Sequence, residues 1–145
     1  MNLKFWKNES SETSPPVPDQ AKTSPLVLII DDEPEFLRSV SSVLTTEGFK
    51  VMTAGGGVKG LTMLRYTSRD IKVVVVDYSM PQLNGAETLT HLRKMNPDVK
   101  VIAISGLALD QIPEAFIVGP DRFLQKPFPS AALVTAIREI LLPKP

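Results

Sequence analysis

Cysteine is absent from the 145 residues. That excludes disulfides, zinc–thiolate sites and thiol catalysis. Histidine occurs once, at His91, inside a predicted helix, and reads as a surface residue rather than a phosphodonor or ligand. An excess of either charge is also lacking: 16 basic side chains are matched by 16 acidic ones, and a neutral total gives no bulk attraction to nucleic acid. Long apolar runs are missing too. No stretch approaches the length of a membrane span, and Met1 to Lys7 lacks the apolar core of a secretory signal. The expectation is a soluble, cytoplasmic protein.

What is present divides unevenly. Residues 1–24 contain the small, polar, proline-rich run Ser10-Ser11-Glu12-Thr13-Ser14-Pro15-Pro16-Val17-Pro18. Such a run buries too little apolar surface to offset its ordering entropy and reads as a disordered tail or linker. Leu3, Phe5 and Trp6 precede it and read as a frayed terminus, or as a short anchor for a partner or membrane surface. Residues 25–145 have the length of one domain, large enough to bury a core without staples.

From Leu26 onward, apolar runs alternate with amphipathic stretches. Strands are predicted over 26–31, 50–54, 72–77, 99–104 and 121–125. The third and fourth are rich in valine and isoleucine with almost no polar alternation, as in strands buried on both faces. Helical spacing appears over 34–47, where Phe36, Leu37, Val40, Val43 and Leu44 share a face and Gly48 follows as a stop. It recurs over 57–68, 84–95 and 130–142, with Ser130 as the expected cap of the last. A short helix is expected between Gln111 and Gly119-Pro120, with Asp110 as its cap and Pro113 in its first turn. Five β/α units in series predict an α/β fold: a parallel sheet with helices on both faces.

Polar groups end three of these strands. Asp31-Asp32 follow Leu26-Val27-Leu28-Ile29-Ile30, Asp77 follows Val73-Val74-Val75-Val76, and Lys126-Pro127 follow Phe123-Leu124-Gln125. In a parallel sheet these ends open onto one edge, where ligands bind. Three carboxylates and an ammonium gathered there would make a site for a cation and a phosphoryl group. Any one signal alone reads as a helix cap or a turn.

Together these residues resemble the receiver domain of two-component response regulators. The motifs are the acidic pair, Asp77-Tyr78-Ser79-Met80-Pro81 with Gly85 following, Ser105 ending the fourth strand, and Lys126-Pro127 after the fifth. They stand in the family's order over residues 26–142. The resemblance implies a flavodoxin-like strand order, 2-1-3-4-5, with Asp77 accepting a phosphoryl group. Mg²⁺ would be held by Asp31, Asp32, Asp77 and the Ser79 carbonyl, an all-oxygen set that suits it. Lys126 would pair with Asp77 and then with a phosphoryl oxygen, Ser105 would donate its hydroxyl, and Phe123 would be the switch aromatic. Partners would be a histidine kinase or phosphotransfer protein and a downstream protein. The domain would catalyse its own phosphorylation and dephosphorylation without turning over an external substrate.

Gly55-Gly56-Gly57-Val58-Lys59-Gly60 offers a different reading. It fits G-x-G-x-x-G after a predicted strand, with Asp77 placed as a ribose-binding acid, which would indicate a dinucleotide-binding domain. Against this, the loop follows the second predicted strand, whereas that fingerprint belongs to the first βα turn. A third reading keeps the receiver-like fold as an interaction module without phosphorylation.

Overall fold

The computed structural model of the chain describes residues 24–67 and 69–143. The tail expected over 1–24, with Leu3, Phe5 and Trp6, lies outside them apart from Ser24. The described elements alternate: β1 (Leu26–Ile30), α1 (Pro34–Thr46), β2 (Lys50–Ala54), α2 (Gly57–Thr67), β3 (Ile71–Asp77), α3 (Gly85–Met95), β4 (Lys100–Ser105), a 3₁₀ turn (Leu109–Gln111), α4 (Glu114–Val118), β5 (Arg122–Gln125) and α5 (Ser130–Leu141). All four strand pairings are parallel, and the order is β2-β1-β3-β4-β5.

Alternation along the central strands divides the core into two layers, because successive side chains point to opposite faces. Leu28, Ile30, Val74, Val76, Val101 and Ala103 face Leu64 of α2, Leu92 of α3 and Phe116 of α4. Val27, Ile29, Val73, Val75, Ile102 and Ile104 face Val40 and Leu44 of α1 and Leu133 and Ile137 of α5. With both faces covered, the central strands leave little but their ends for chemistry.

Two predicted helix starts are corrected. Ser130 is the first residue of α5, Pro129 stands at the cap position, and no side-chain cap bond forms. Asp110 lies within the 3₁₀ turn and caps nothing. Pro113, whose fixed φ and missing N–H make it a natural boundary, sits just before α4 and leaves that helix only five residues.

Within the glycine run, Gly57 and Gly60 are packing positions. The run follows β2, an edge strand. A Cβ at Gly57 would collide with Thr88 and Leu83, and one at Gly60 with Ile30. These glycines let α2 lie directly against β1 and the start of α3, which accounts for them without a dinucleotide. His91 is exposed, as expected.

Candidate functional site: a carboxylate cluster at the strand ends

Register brings the acids together. Ile30 of β1 is aligned with Val76 of β3, so the next residues, Asp31 and Asp77, emerge side by side. Asp31, Asp32 and Asp77 each offer a carboxylate oxygen, and these oxygens lie within 4.8 Å of one another. Asp31 and Asp77 are buried and Asp32 is exposed. The loop after β3 is held by the Tyr78 N–H donating to the Ile104 carbonyl at 3.0 Å and the Gly85 N–H donating to the Tyr78 carbonyl at 2.7 Å. Ser79 lies exposed on that loop.

Gly85 is where this loop returns to the sheet. A Cβ there would run into backbone atoms of Asp77 and Tyr78, which cannot rotate aside. Gly85→Ala is therefore expected to destabilise the protein by ~3 kcal/mol in urea unfolding. Gly56→Ala, whose Cβ would meet nothing within 4 Å, serves as the control and should cost little.

Lys126 arrives from β5, two strands beyond β3. Its backbone N–H donates to the Ser105 carbonyl at 2.7 Å, and the Lys126–Pro127 peptide is cis. The ammonium donates to Asp31 Oδ2 at 2.8 Å and to Glu33 Oε1 at 2.9 Å; Asp77 Oδ1 is 3.5 Å away. It also stands 4.2 Å from the centroid of the Phe36 ring, a favourable place for a cation. The pairing with Asp77 is thus the longest of three, and Glu33 and Phe36 are partners that the strand-end reading misses. The one available signal is that Glu33 extends the acidic run Asp31-Asp32 into the start of a helix.

Electrostatics follow from burial and crowding. Burial does most to raise Asp77, to about 7; the Asp31 charge adds to it, the nearby Lys126 only partly offsets it, and Asp32 raises it further. Burial likewise raises Asp31, against hydrogen bonds from Lys126 and from the Glu33 N–H. For Lys126 burial works against the charge, but hydrogen bonds to Asp31 and Glu33 prevail and hold the ammonium above the ordinary lysine range. Like-charge repulsion and desolvation at the same carboxylates are what a bound divalent cation relieves. The donor set is all oxygen, so the residues fit Mg²⁺.

Ser105 is fully buried, and its Oγ accepts the Leu107 N–H at 3.0 Å. Gln125 Nε2 donates to the Leu107 carbonyl at 2.9 Å, so the loop after β4 is tied on both sides. Phe123 is half-buried and packs edge-on to Phe116 at 6.4 Å; Phe116 in turn meets Tyr78 at 5.2 Å. A row of aromatic rings therefore links the residue after Asp77 to Phe123.

Fold and site define a doubly wound α/β domain with a carboxylate pocket and a lysine at the carboxyl ends of its strands. Residues 27–138 match the family model of the response regulator receiver domain, and the chain belongs to that family. It is 36% identical over 124 residues to the transcriptional regulatory protein PrrA of Mycobacterium tuberculosis, covering 85% of this chain and 52% of that one. It is 27% identical over 117 residues to the chemotaxis protein CheY of Treponema pallidum, covering 79% and 81%. The chain spans about half the length of PrrA and of the CpxR homolog of Haemophilus influenzae. Among solved structures, a response regulator receiver domain protein from Clostridium thermocellum superposes with a TM-score of 0.74 at 32% identity, over 79% of this chain and 92% of that one. The CheX–CheY–BeF₃–Mg complex from Borrelia burgdorferi gives 0.76 at 25% identity, over 82% and 90%. Among the described residues, no helix is long and apolar enough to cross a membrane.

Proposed function

We propose that Asp77 is the phosphoacceptor of this receiver domain, taking a phosphoryl group from a histidine kinase or phosphotransfer protein and thereby changing which downstream protein is bound. The observation that carries this reading is the meeting of three carboxylates within 4.8 Å with an ammonium 3.5 Å from Asp77. Asp31, Asp32 and Asp77, with the Ser79 carbonyl, would hold Mg²⁺, which when bound offsets the repulsion between a carboxylate and an anionic phosphodonor. A carboxylate oxygen of Asp77 attacks phosphorus, an acyl phosphate forms, and the bond to the donor's leaving group breaks. Lys126 then supplies positive charge to a phosphoryl oxygen as a point charge. The Ser105 hydroxyl turns to donate to another, and Phe123 moves with the loop that Ser105 anchors. The reading takes residues 25–145 as the receiver unit, 1–24 as a tail or linker, and the cytoplasm as the place where it works.

The test is incubation with Mg²⁺ and acetyl phosphate, followed by intact mass measurement. A single phosphoryl adduct is expected, dependent on Mg²⁺ and lost in Asp77→Asn. An adduct that persists in Asp77→Asn would exclude Asp77 as the acceptor.

A further inference from the structure

We propose that Glu33 is a positioning residue that holds the Lys126 ammonium back from Asp77, so that phosphorylation has to draw the lysine off Glu33; this rests on the phosphoacceptor reading above. An ammonium has three protons to donate. Two are committed at full strength, to Asp31 at 2.8 Å and to Glu33 at 2.9 Å. Charge-assisted bonds of this kind are normally 2.7–2.9 Å, and Asp77 at 3.5 Å falls outside that range. Phe36, below the ammonium at 4.2 Å, supports the same retracted placement.

Glu33 is fixed for this task by its backbone. It occupies the N-cap position of α1. Its N–H donates to Asp31 Oδ1 at 2.9 Å, and its carbonyl accepts from the Leu37 N–H at 3.1 Å. Its side chain makes no capping bond and reaches to Lys126 instead. The two anchors of the lysine also differ in how readily they let go. The Asp31 side chain is fully buried, whereas that of Glu33 is 63% exposed. Breaking the buried pair strands a charge in a dry site; a released Glu33 is taken up by water. When phosphoryl oxygens arrive at Asp77, Glu33 is therefore the partner that Lys126 gives up.

Two substitutions separate this from a simple field effect. Glu33→Gln removes the charge and keeps the reach; Glu33→Asp keeps the charge and shortens the reach. Both should free the lysine. Two readouts are needed. One is the ring-current shift of the Lys126 ε-methylene protons over Phe36, taken by NMR without Mg²⁺. The other is the affinity for beryllofluoride in Mg²⁺. Both variants are expected to move the methylene resonance and to bind beryllofluoride about two- to fivefold more tightly than the wild type, the range for loss of an exposed ion pair. Tighter binding by Glu33→Gln with Glu33→Asp at the wild-type value would overturn the proposal in favour of bare charge. An unmoved Lys126 resonance in both variants would overturn it as well. A wild type that binds no beryllofluoride would sink the phosphoacceptor reading itself, and the metal-free resonances would still decide whether Glu33 places the lysine.

Discussion

Lys126→Met is expected to lose ~3 kcal/mol of stability at pH 8 and much less at pH 5. Methionine keeps most of the stem and its contact with Phe36 but removes the only cation that touches Asp31 and Asp77 among the described residues. Removing one partner of a buried pair costs about 3–5 kcal/mol, because the other charge is left unpaired. The escape is protonation. Asp31 and Asp77 already sit above the ordinary carboxylate range with the lysine present, and without it both rise further. An acid raised in the folded state favours folding fully below its unfolded value and loses that contribution as pH climbs to the folded value. At pH 5 Asp77, at about 7 even with the lysine present, is therefore mostly neutral and tolerates the missing lysine, whereas at pH 8 its charge is left without a counterion. Urea unfolding at the two pH values measures the difference, and Mg²⁺ should recover part of the loss at pH 8. Equal losses at both pH values would mean that Lys126 serves by packing alone.

Asp77→Asn should move stability the other way. The Asp77 carboxyl titrates near 3.8 when unfolded and at about 7 when folded. Between those values the native state binds more protons than the unfolded chain, so stability falls as pH rises through that window and levels off above it. A rise from 3.8 to about 7 corresponds to ~4 kcal/mol, and Asp77 is only 4% exposed, so solvent screens little of it. Asparagine is nearly the same shape and has no charge to bury. The variant is expected to be more stable than the wild type by ~2–4 kcal/mol at pH 8, with a flatter profile from pH 4 to 7. Saturating Mg²⁺ should narrow the gap by stabilising the wild type, by ~2.7 kcal/mol at a hundredfold excess over Kd. A wild-type profile that is level between pH 4 and 7 would refute the argument. If the phosphoryl adduct is also lost as expected, Asp77→Asn would abolish phosphoryl uptake while strengthening the fold.

The sequence revealed the strands because the sheet is buried on both faces. Val73 to Val76 have no polar side to obscure them, and their burial is complete. The tips were legible for a related reason: an acid or an amine ending such a run has nowhere to go but the sheet edge. The strand order was not legible from local pattern and entered through the family resemblance; the observed order agrees with it. Glu33 escaped notice because its partner comes from β5, and β3 and β4 lie between β5 and β1 in the sheet. No local rule connects residues that far apart. The short helix before Gly119-Pro120 was legible, but its start was not, because a proline and a short apolar run leave the first turn ambiguous. The glycine run offered a rival reading for the opposite reason, since missing side chains fit a tight helix contact as well as a phosphate loop.

The two ends of this sheet differ in how much they can give. On the β2 side, glycines at 57 and 60 leave α2 no slack against Ile30 and Thr88. On the β5 side, a helix of five residues is pinned chiefly by one buried ring, Phe116. A disturbance introduced at Asp77 meets a wall in one direction and a hinge in the other. Compliance is thus built in asymmetrically, and on the phosphoacceptor reading a phosphoryl group at Asp77 would be felt toward β5.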